Sequence, residues 1–378
     1  MTKMKLGEYT ESMNPVYADI AISEVIEKHN GMSFGEIKED GYRCQIHADG
    51  DYVKMFTRAG NEYVYECYPE IVEAVQKLKL KKTVLDAEMK GESIGYAGFT
   101  QIRKRFRQKA QKSKKLEEYK KLIKEYPLRL VVFDTLMFDG EELLNTQLED
   151  RRKYTDNISG KRVTPSELYR ITSEKQFDEL FNENVKKMKH EGFVLKKPSS
   201  MYIGNPKKLH QKDANYNWVK IKNFETLDLV IIGLFKNDAE YAKDVKFSSA
   251  LCAMKNSGTG LYDVLCSVSL VRKNPFTGNK FASDLEKMIT KVSYGKPSNV
   301  YFPEKMENKH GNVIYVKPKD SQVIAVKTMN IEFDGKDYAL RIAHIDDIRE
   351  DKNVSQTTTL KEVEKLYKLQ EAKDDESK

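Results

Sequence analysis

Hydrophobic and polar positions alternate in several short stretches of the first half of the chain, a pattern that predicts β-strands. Residues Phe34–Met55 follow this pattern, and the Asp40–Gly41 pair within them is a typical hairpin signal. Residues Thr83–Lys90 and Leu128–Phe133 also predict strands, and the second is apolar enough to be buried on both faces. This half of the chain is therefore expected to contain sheets.

Two other stretches of the same half carry apolar residues at helical spacing. From about Pro15 to Lys28 this spacing fits a short helix loosely. Residues Ser173–Lys189 predict a second helix, in which Ser173 and Gln176 have the spacing of a capping box. The apolar stripe of the second helix consists of Phe177, Leu180, Phe181 and Met188.

The residue pattern changes after Phe224, where short runs of strand-forming residues are separated by Gly, Asn and Pro. These runs are Leu229–Phe235, Leu261–Val271, Val313–Val316 and Val323–Met329. They predict a small β-barrel or sandwich that begins near Asp228. The segment Asn274–His310 is polar and irregular, which indicates a long insertion. A last helix is predicted by the spacing of Leu360, Val363, Leu366 and Tyr367, before a charged, frayed end.

Composition narrows the class of protein. A chain of 378 residues exceeds what one hydrophobic core usually serves, so two domains are expected. With 39% hydrophobic and 33% charged residues, and no apolar run near the roughly 18 residues of a membrane span, we expect a soluble protein. The polar N-terminus and the four scattered cysteines, which show no CxxC spacing, favour a reduced protein of the cytoplasm.

Positive charge is concentrated in one stretch of the chain. The net charge is only +7, but residues Gln101–Lys121 contain ten Lys or Arg and two acidic residues. Such a run is usually a solvated face. Because Ile102 and Phe106 interrupt it, the run also fits a surface that follows nucleic-acid phosphates. Composition leaves both interpretations open.

Three predicted strands place polar side chains in pairs on one face, because side chains two positions apart in a strand point the same way. The pairs are Glu36 with Lys38, Asp86 with Glu88, and Lys220 with Lys222. Paired lysines and paired carboxylates suit a pocket for a metal-bound polyphosphate. Each stretch taken alone fits an ordinary half-exposed strand just as well.

In order along the chain, these segments resemble the motifs of the covalent nucleotidyltransferases, the superfamily of DNA ligases, RNA ligases and mRNA capping enzymes. The matching segments are KEDGYR at Lys38–Arg43, TRAG at Thr57–Gly60, LDAE at Leu85–Glu88, FDTLMFDG at Phe133–Gly140, EGFVLK at Glu191–Lys196, WVKIK at Trp218–Lys222 and REDK at Arg349–Lys352. Each segment is weak alone, but the ordered set is highly specific. Within the superfamily, the chain is most similar to ATP-dependent DNA ligases of the compact two-domain form of phages and viruses.

The resemblance implies an α+β fold. Residues 1–224 would form a nucleotidyltransferase (adenylation) domain of antiparallel sheets and helices. Residues 225–355 would form a C-terminal OB-fold β-barrel with the long insertion near 274–310. Residues 356–378 would form a C-terminal helix and tail. Clamping around a duplex requires the two domains to move, so we expect a hinge at Asn223–Asp228.

The resemblance also implies a reaction. Such an enzyme seals nicks in duplex DNA: ATP adenylates a lysine, the AMP moves to the 5′-phosphate of the nick, and the 3′-hydroxyl displaces it. Lys38 would be the nucleophile, and its amine must be uncharged to attack. Cationic neighbours, namely Arg43, Lys220 and Lys222, are expected to lower the pKa of Lys38. The cofactors would be ATP and Mg²⁺, with Mn²⁺ as a substitute. The partner would be nicked duplex DNA, bound by a monomer that acts in replication, repair and recombination.

Further residues take roles from their positions in the matched motifs. The nucleoside would be contacted by Glu36 at the adenine edge, Phe133 stacked on the ring, and Arg43 with Arg58 at ribose and phosphate. The phosphates and the metal would be contacted by Lys220, Lys222, Glu88 and Glu191. Arg349 and Lys352 of the OB domain would orient the leaving pyrophosphate. In the FTQIRKR segment, which resembles a basic stretch of many DNA ligases, DNA would be contacted by Arg103, Lys104 and Arg105.

Other functions of the same pattern stay open at this point. An RNA ligase or an mRNA guanylyltransferase shares the nucleophile motif, and a non-catalytic OB-fold nucleic-acid-binding protein is a rival of another class. The chain also departs from the family pattern. His344 and Asp347 stand where many members carry Arg, and Ala87 replaces a Gly. The last matched segment, which ends in REDK at Arg349–Lys352 and is called the closing motif below, is therefore less basic than usual.

Overall fold

The computed structural model describes residues 4–17, 20–93, 95–107, 116–204, 216–236, 246–271, 281–293, 295–304 and 313–375. The chain forms two compact units, Met1–Asn223 and Phe224–Asp375. No helix in the described ranges is long and apolar enough to cross a membrane.

The first unit combines helices with two sheets. Its helices in the described ranges are α1 (Ile22–Lys28), α2 (Pro69–Lys77), α3 (Gly95–Arg107), α4 (Leu116–Glu125), α5 (Leu148–Thr155) and α6 (Glu174–Phe181). Its strands there are β1 (Val16–Tyr17), β2 (Ser33–Lys38), β3 (Tyr42–Asp49), β4 (Tyr52–Thr57), β5 (Thr83–Gly91), β6 (Leu128–Phe138), β7 (Glu141–Glu142), β8 (Val163–Pro165), β9 (Leu168–Ile171), β10 (Gly192–Lys196) and β11 (Trp218–Lys222). One sheet has the order β1-β11-β10-β2-β9, and the other has β4-β3-β5-β6-β7 with β8 paired to β6. Pairing is antiparallel except at β1–β11 and β6–β8.

The hairpin predicted at Asp40–Gly41 is wrong, because the flanking strands β2 and β3 belong to different sheets. The chain crosses from one sheet to the other here and passes close to β5. A Cβ on Gly41 would lie 2.3 Å from the carbonyl oxygen of Met89, so only glycine fits. The hairpin of this region is β3–β4, which turns at Gly50, a residue with φ of 61°.

The helix predicted from Pro15 is shorter than expected. Residues Val16–Tyr17 form β1 and pair with Val219 and Lys220 of β11, so the helix is confined to Ile22–Lys28. The edge of β11 offers backbone partners that local helical spacing could not reveal.

The second predicted helix is confirmed in its first half. The Ser173 hydroxyl accepts the N–H of Gln176 at 3.2 Å, as a capping residue does, and Phe177 is buried. The predicted place of Met188 in the apolar stripe is wrong, because the α-helix ends at Phe181 and Met188 is 50% exposed. A π-helical turn at Asn182–Lys187 changes the helical phase, and Val185 is buried instead.

The second unit is built around one long strand. Its strands in the described ranges are β12 (Glu225–Lys236), β13 (Phe247–Lys255), β14 (Tyr262–Ser269), β15 (Val300–Tyr301), β16 (Val313–Tyr315), β17 (Val323–Thr328), β18 (Asn330–Phe333), β19 (Tyr338–Arg341) and β20 (His344–Ile348), and its helices are α7 (Ala282–Met288) and α8 (Leu360–Asp375). The main sheet has the order β15-β14-β13-β12-β17-β20, with β16 also on β12, and β18 pairs with β19. The β12–β13 register shifts between Ile231 and Gly233, an irregularity of the kind that bends a strand.

Two predictions for this unit need correction. Much of the predicted hinge Asn223–Asp228 is strand, because β12 begins at Glu225. The segment Asn274–His310 is not wholly irregular. Its residues 274–280, 294 and 305–310 lie outside the described ranges, but α7 places Leu285 in the core, and β15 pairs with β14.

The predicted C-terminal helix is observed as α8. Val363 is completely buried in the core of the second unit, and the rest of the apolar stripe packs against that core. The residues of this stripe are Leu360, Leu366 and Tyr367.

Candidate active site

The motif lysine lies at the end of β2, where three strands come close together. In the pairing of β10 with β2, Lys38 lies opposite Gly192, which in turn lies opposite Lys222 of β11. A Cβ on Gly192 would lie 1.9 Å from the carbonyl oxygen of Ile221, so this position requires glycine. The close approach of β10 and β11 brings Glu191 to both lysines.

Glu191 bridges two lysines. One carboxylate oxygen lies 2.6 Å from Lys38 Nζ, and the other lies 2.7 Å from Lys222 Nζ. Burial opposes ionisation of Glu191, but Lys38 and Lys222 outweigh it and lower the pKa of the carboxyl. Glu191 is therefore ionised at neutral pH.

The expected lowering of the Lys38 pKa is wrong, because the pKa of Lys38 is raised. Burial lowers the pKa of Lys38, but the carboxylates of Glu191, Glu88 and Asp40 outweigh burial and raise it. The sequence argument counted the nearby cations and did not foresee the direct ion pair with Glu191. Lys38 is consequently an ammonium, which has no lone pair with which to attack.

The two other lysines of the site, Lys220 and Lys222, do have lowered pKa values. Burial, with help from Lys222, Lys38 and Arg58, lowers the pKa of Lys220 to about 8. Burial also lowers the pKa of Lys222, although Glu191 opposes it. The charge of Arg58 thus contributes to the lowered pKa of Lys220.

Glu88 and Glu191 form a donor pair suited to a divalent cation. Burial raises the pKa of Glu88 to about 8, with Lys38 opposing and Glu191 adding to the rise. Nearby carboxylates that repel one another gain from a bound cation. No described group of three or more His, Cys, Asp or Glu side chains could hold a metal ion. Mg²⁺ often takes one or two carboxylates and completes its shell with phosphates and water, which this pair fits.

Arg43 is held by a buried carboxylate. Its guanidinium forms a two-pronged ion pair with Asp86, with 2.8 Å between Nε and Oδ1. The Tyr202 hydroxyl donates to the same carboxylate at 2.6 Å. The Arg43 guanidinium also lies 5.2 Å from the centre of the Phe133 ring. Asp86 thus orients Arg43, whose guanidinium lies over the Phe133 ring.

Glu36 lies in a network that sequence reasoning missed. The side chain is 2% exposed, and Lys196 Nζ lies 2.8 Å from one of its oxygens. Ser166 donates to the other oxygen at 2.8 Å, and Arg152 Nη1 lies 3.4 Å from the carboxylate. Lys196 ends the EGFVLK segment, and Arg152 is one of two adjacent arginines in α5, so both left a signal in the sequence.

In the second unit, the closing-motif residues Arg349 and Lys352 share one carboxylate. Arg349 Nη1 lies 3.0 Å from Asp228 Oδ1, and Lys352 Nζ lies 2.5 Å from Asp228 Oδ2. Arg349 also pairs with Asp351 at 2.7 Å. Asp228 of β12 therefore holds the two cations together.

The predicted DNA-binding residues separate into two groups. Arg105 is 1% exposed, pairs with Glu70 at 2.7 Å and donates to the carbonyl of Cys67, so its assignment as a DNA contact is wrong. The cause is helical spacing, because Arg105 shares a face of α3 with the buried Ile102. Lys104 is exposed, and Arg103 is partly exposed. Residues 108–115 of the basic run lie outside the described ranges.

A family model for the "ATP dependent DNA ligase domain" matches residues 14–222, more than half of the chain. The chain belongs to this family. The matched ATP-dependent DNA ligase domain contains Lys38, Glu191 and the other site residues of the first unit. The predicted family resemblance is therefore confirmed.

Curated relatives of this ligase-family chain carry matching names. The chain is 30% identical to "DNA ligase" of Thermococcus fumicolans over 93% of its own length and 58% of the relative's. It is 28% identical to "Probable DNA ligase" of Dictyoglomus thermophilum, over 93% and 59% of the two lengths. The chain thus spans about three fifths of these relatives.

Solved structures show the same fold. The structure described as "Pmar-Lig_PreS3" matches with a TM-score of 0.57 at 18% identity, over 90% of this chain and 67% of that chain. A structure from a study of "Lig E DNA ligases" matches with a TM-score of 0.51 at 14% identity, over 90% and 100% of the two chains. The predicted α+β class is confirmed.

Proposed function

We propose that this chain is an ATP-dependent DNA ligase that seals nicks in duplex DNA through a lysyl-AMP on Lys38. The observation that carries the proposal is the contact of Lys38 with Glu191, which in turn holds Lys222. Family membership supports a DNA ligase rather than an RNA ligase, an mRNA guanylyltransferase or a non-catalytic OB-fold protein.

The first step needs the Lys38 amine without its proton. As long as Glu191 is its partner, the ammonium form is stabilised. If Glu191 instead held a metal ion, burial together with the charges of Lys220 and Lys222 would favour the neutral amine of Lys38. Glu191 therefore controls the nucleophile. Glu88 and Glu191 would hold Mg²⁺, or Mn²⁺, which screens the charge of the triphosphate.

Three exchanges of bonds complete the reaction. The Lys38 Nζ–phosphorus bond forms as the bond between the α-phosphorus and the bridging oxygen breaks, and pyrophosphate leaves. A 5′-phosphate oxygen of the nick then attacks the same phosphorus, and the Nζ–phosphorus bond breaks. Last, the 3′-hydroxyl loses its proton and attacks the 5′-phosphorus, and AMP leaves.

Nucleotide contacts in this proposal follow the matched motifs. Glu36 and Phe133 take the base, and Arg43 and Arg58 take ribose and phosphate. Lys220 and Lys222 neutralise charge that grows on the α-phosphate. In the second unit, Arg349 and Lys352 act on the leaving pyrophosphate. Their joint attachment to Asp228 supports this, because it keeps two cations together.

The DNA surface is proposed to include Arg103 and Lys104, since exposed cations can track phosphates without reading sequence. We propose that the protein acts as a monomer on nicked duplex DNA. We also propose a cytoplasmic location, because the four cysteines are free thiols buried in the structure, as in a reducing compartment.

The decisive experiment is incubation with α-³²P-labelled ATP and Mg²⁺, followed by denaturation and peptide mapping. We expect one labelled peptide that contains Lys38, and sealing of a nick between DNA strands. Absence of covalent label would overturn the proposal. Label from GTP alone would indicate a guanylyltransferase, and sealing of RNA strands alone would indicate an RNA ligase.

A further inference from the structure

The buried carboxylate of Glu36 is surrounded by donors from distant parts of the first unit. Arg152 of α5 is 4% exposed and reaches the carboxylate directly at 3.4 Å. It also donates to the Ser166 hydroxyl oxygen at 2.7 Å, and that hydroxyl donates to Glu36 at 2.8 Å. Arg152 therefore acts on Glu36 both directly and through Ser166.

Arg152 is itself held in place. Its Nε donates to Asp156 one turn later in the chain at 2.6 Å, and its Nη2 donates to the backbone carbonyl of Ser166. A guanidinium fixed at three nitrogen atoms presents its donors in a rigid fork. Arg152 and Ser166, together with Lys196, consequently fix the orientation of the Glu36 carboxylate.

The Glu36 carboxylate accepts the hydrogen bonds of Arg152, Ser166 and Lys196. A carboxylate accepts hydrogen bonds without donating any. It offers about four lone-pair sites, and three of them take short contacts: Lys196 at 2.8 Å and 2.9 Å, one on each oxygen, and Ser166 at 2.8 Å. The fourth faces only the longer 3.4 Å contact of Arg152, so a further donor can take that site. Such a carboxylate accepts a hydrogen bond from the amino group at position 6 of adenine. It repels the carbonyl oxygen at position 6 of guanine.

We propose that Arg152 and Ser166 are positioning residues that set the base selectivity of the lysine-labelling reaction through Glu36. This inference rests on the proposed function, in which Glu36 faces the base of ATP. Arg151, the neighbour of Arg152, has a different task. It pairs in two-pronged fashion with Asp134, with both distances 2.8 Å, and both side chains are completely buried.

The test compares labelling of Lys38 by α-³²P-labelled ATP, GTP and purine riboside triphosphate, which lacks the 6-amino group. For Ser166→Ala and Arg152→Gln, we expect kcat/KM with ATP to fall about tenfold, mainly through KM, because a hydrogen bond to a charged group weakens. The value with the purine analogue should stay within about twofold, so the preference for ATP over the analogue shrinks. Arg152→Lys should retain part of the preference for ATP over the analogue. Lys153→Gln, on an exposed side chain of the same helix, is the matched control.

An equal loss with both nucleotides would show a merely structural role and overturn the inference, as would unchanged selectivity in both variants. If Arg152→Gln does not fold, Ser166→Ala decides, since it removes one hydroxyl. A wild-type protein that labels equally well with the purine analogue also overturns the inference. A wild-type protein that takes no label at all contradicts the proposed function itself, which keeps the two failures distinct.

Discussion

The Lys38 ammonium lies 2.6 Å from the Glu191 carboxylate, and this ion pair raises the pKa of the proposed nucleophile. The same carboxylate reaches Lys222 at 2.7 Å. A single acidic side chain therefore links the state of the nucleophile to the residues that would receive the phosphates.

Lys38→Ala should abolish covalent labelling by ATP, because the phosphoramidate needs the Lys38 amine. Peptide mapping after denaturation measures the label. Lys79→Ala is the control, since that lysine forms an exposed ion pair with Asp51 and should leave labelling unchanged. Label retained by Lys38→Ala would show that the nucleophile is another residue.

Glu191→Gln should lower the pKa of Lys38, because burial then outweighs the remaining carboxylates. Without nucleotide or metal, Lys38 should react faster with an amine-modifying reagent at pH 8 than in the wild-type protein. Mass spectrometry of a digest measures this, with Lys54 as an internal reference. Glu88→Gln should act in the same direction but more weakly, since Glu88 comes second among the carboxylates that raise the Lys38 pKa. An unchanged or slower reaction of Lys38 in Glu191→Gln would contradict the argument.

Arg349→Ala and Lys352→Ala should slow labelling by ATP at least about tenfold, because charge on the leaving pyrophosphate would lose its partner. Sealing of a nick that already carries AMP should persist, since no pyrophosphate leaves in that step. Lys327→Ala, which removes a lysine paired with Asp346 in the same unit, is the control. Equal loss in both assays would assign the two residues a role outside the first step.

Arg103→Ala and Lys104→Ala should weaken nick binding and leave labelling intact. Each lost phosphate contact reduces the slope of log affinity against log salt by about 0.9. Arg105→Ala should instead destabilise the fold by about 3–5 kcal/mol, because Glu70 would stay behind as a partly buried, unpaired charge. Binding across a salt series and urea unfolding separate the two effects. If the plots of log affinity against log salt for Lys104→Ala and the wild-type protein coincide, Lys104 belongs to a solvated face and does not contact DNA.

Acid should destabilise the protein through buried histidines. His29 donates from Nε2 to the Tyr216 carbonyl at 2.6 Å and accepts from Ser33 at Nδ1, and burial lowers its pKa to about 4. The unfolded chain binds this proton near pH 6.5, so stability falls by about 1.4 kcal/mol per pH unit between about 6.5 and 4. Burial of His47 adds a similar term.

Urea unfolding at pH 7 and pH 5 checks this expectation. His29→Gln should be less stable than the wild-type protein at pH 7, and its disadvantage should shrink at pH 5. A disadvantage that stays constant with pH would contradict the lowered pKa.

The sequence alone determined the family and most of the side chains that meet at the site. Period-two alternation on short strands is local geometry, so it correctly paired Lys220 with Lys222 on one face. The Ser173 cap was predictable for the same reason, since its partner is three residues away. The ordered motifs predicted the family and the other site residues, because each motif places the side chains that the chemistry needs within a few positions of one another.

Tertiary structure alone decided the state of those side chains. The partners of Glu36 lie 116, 130 and 160 positions away, at Arg152, Ser166 and Lys196, and no local pattern encodes such contacts. The Lys38 pKa depends on Glu191, which is 153 positions away, and on burial, so counting nearby cations predicted the wrong direction. The distances between charged groups and the exposure of each side chain arise only when the chain packs. They determine the pKa values, which is why the sequence alone did not give them.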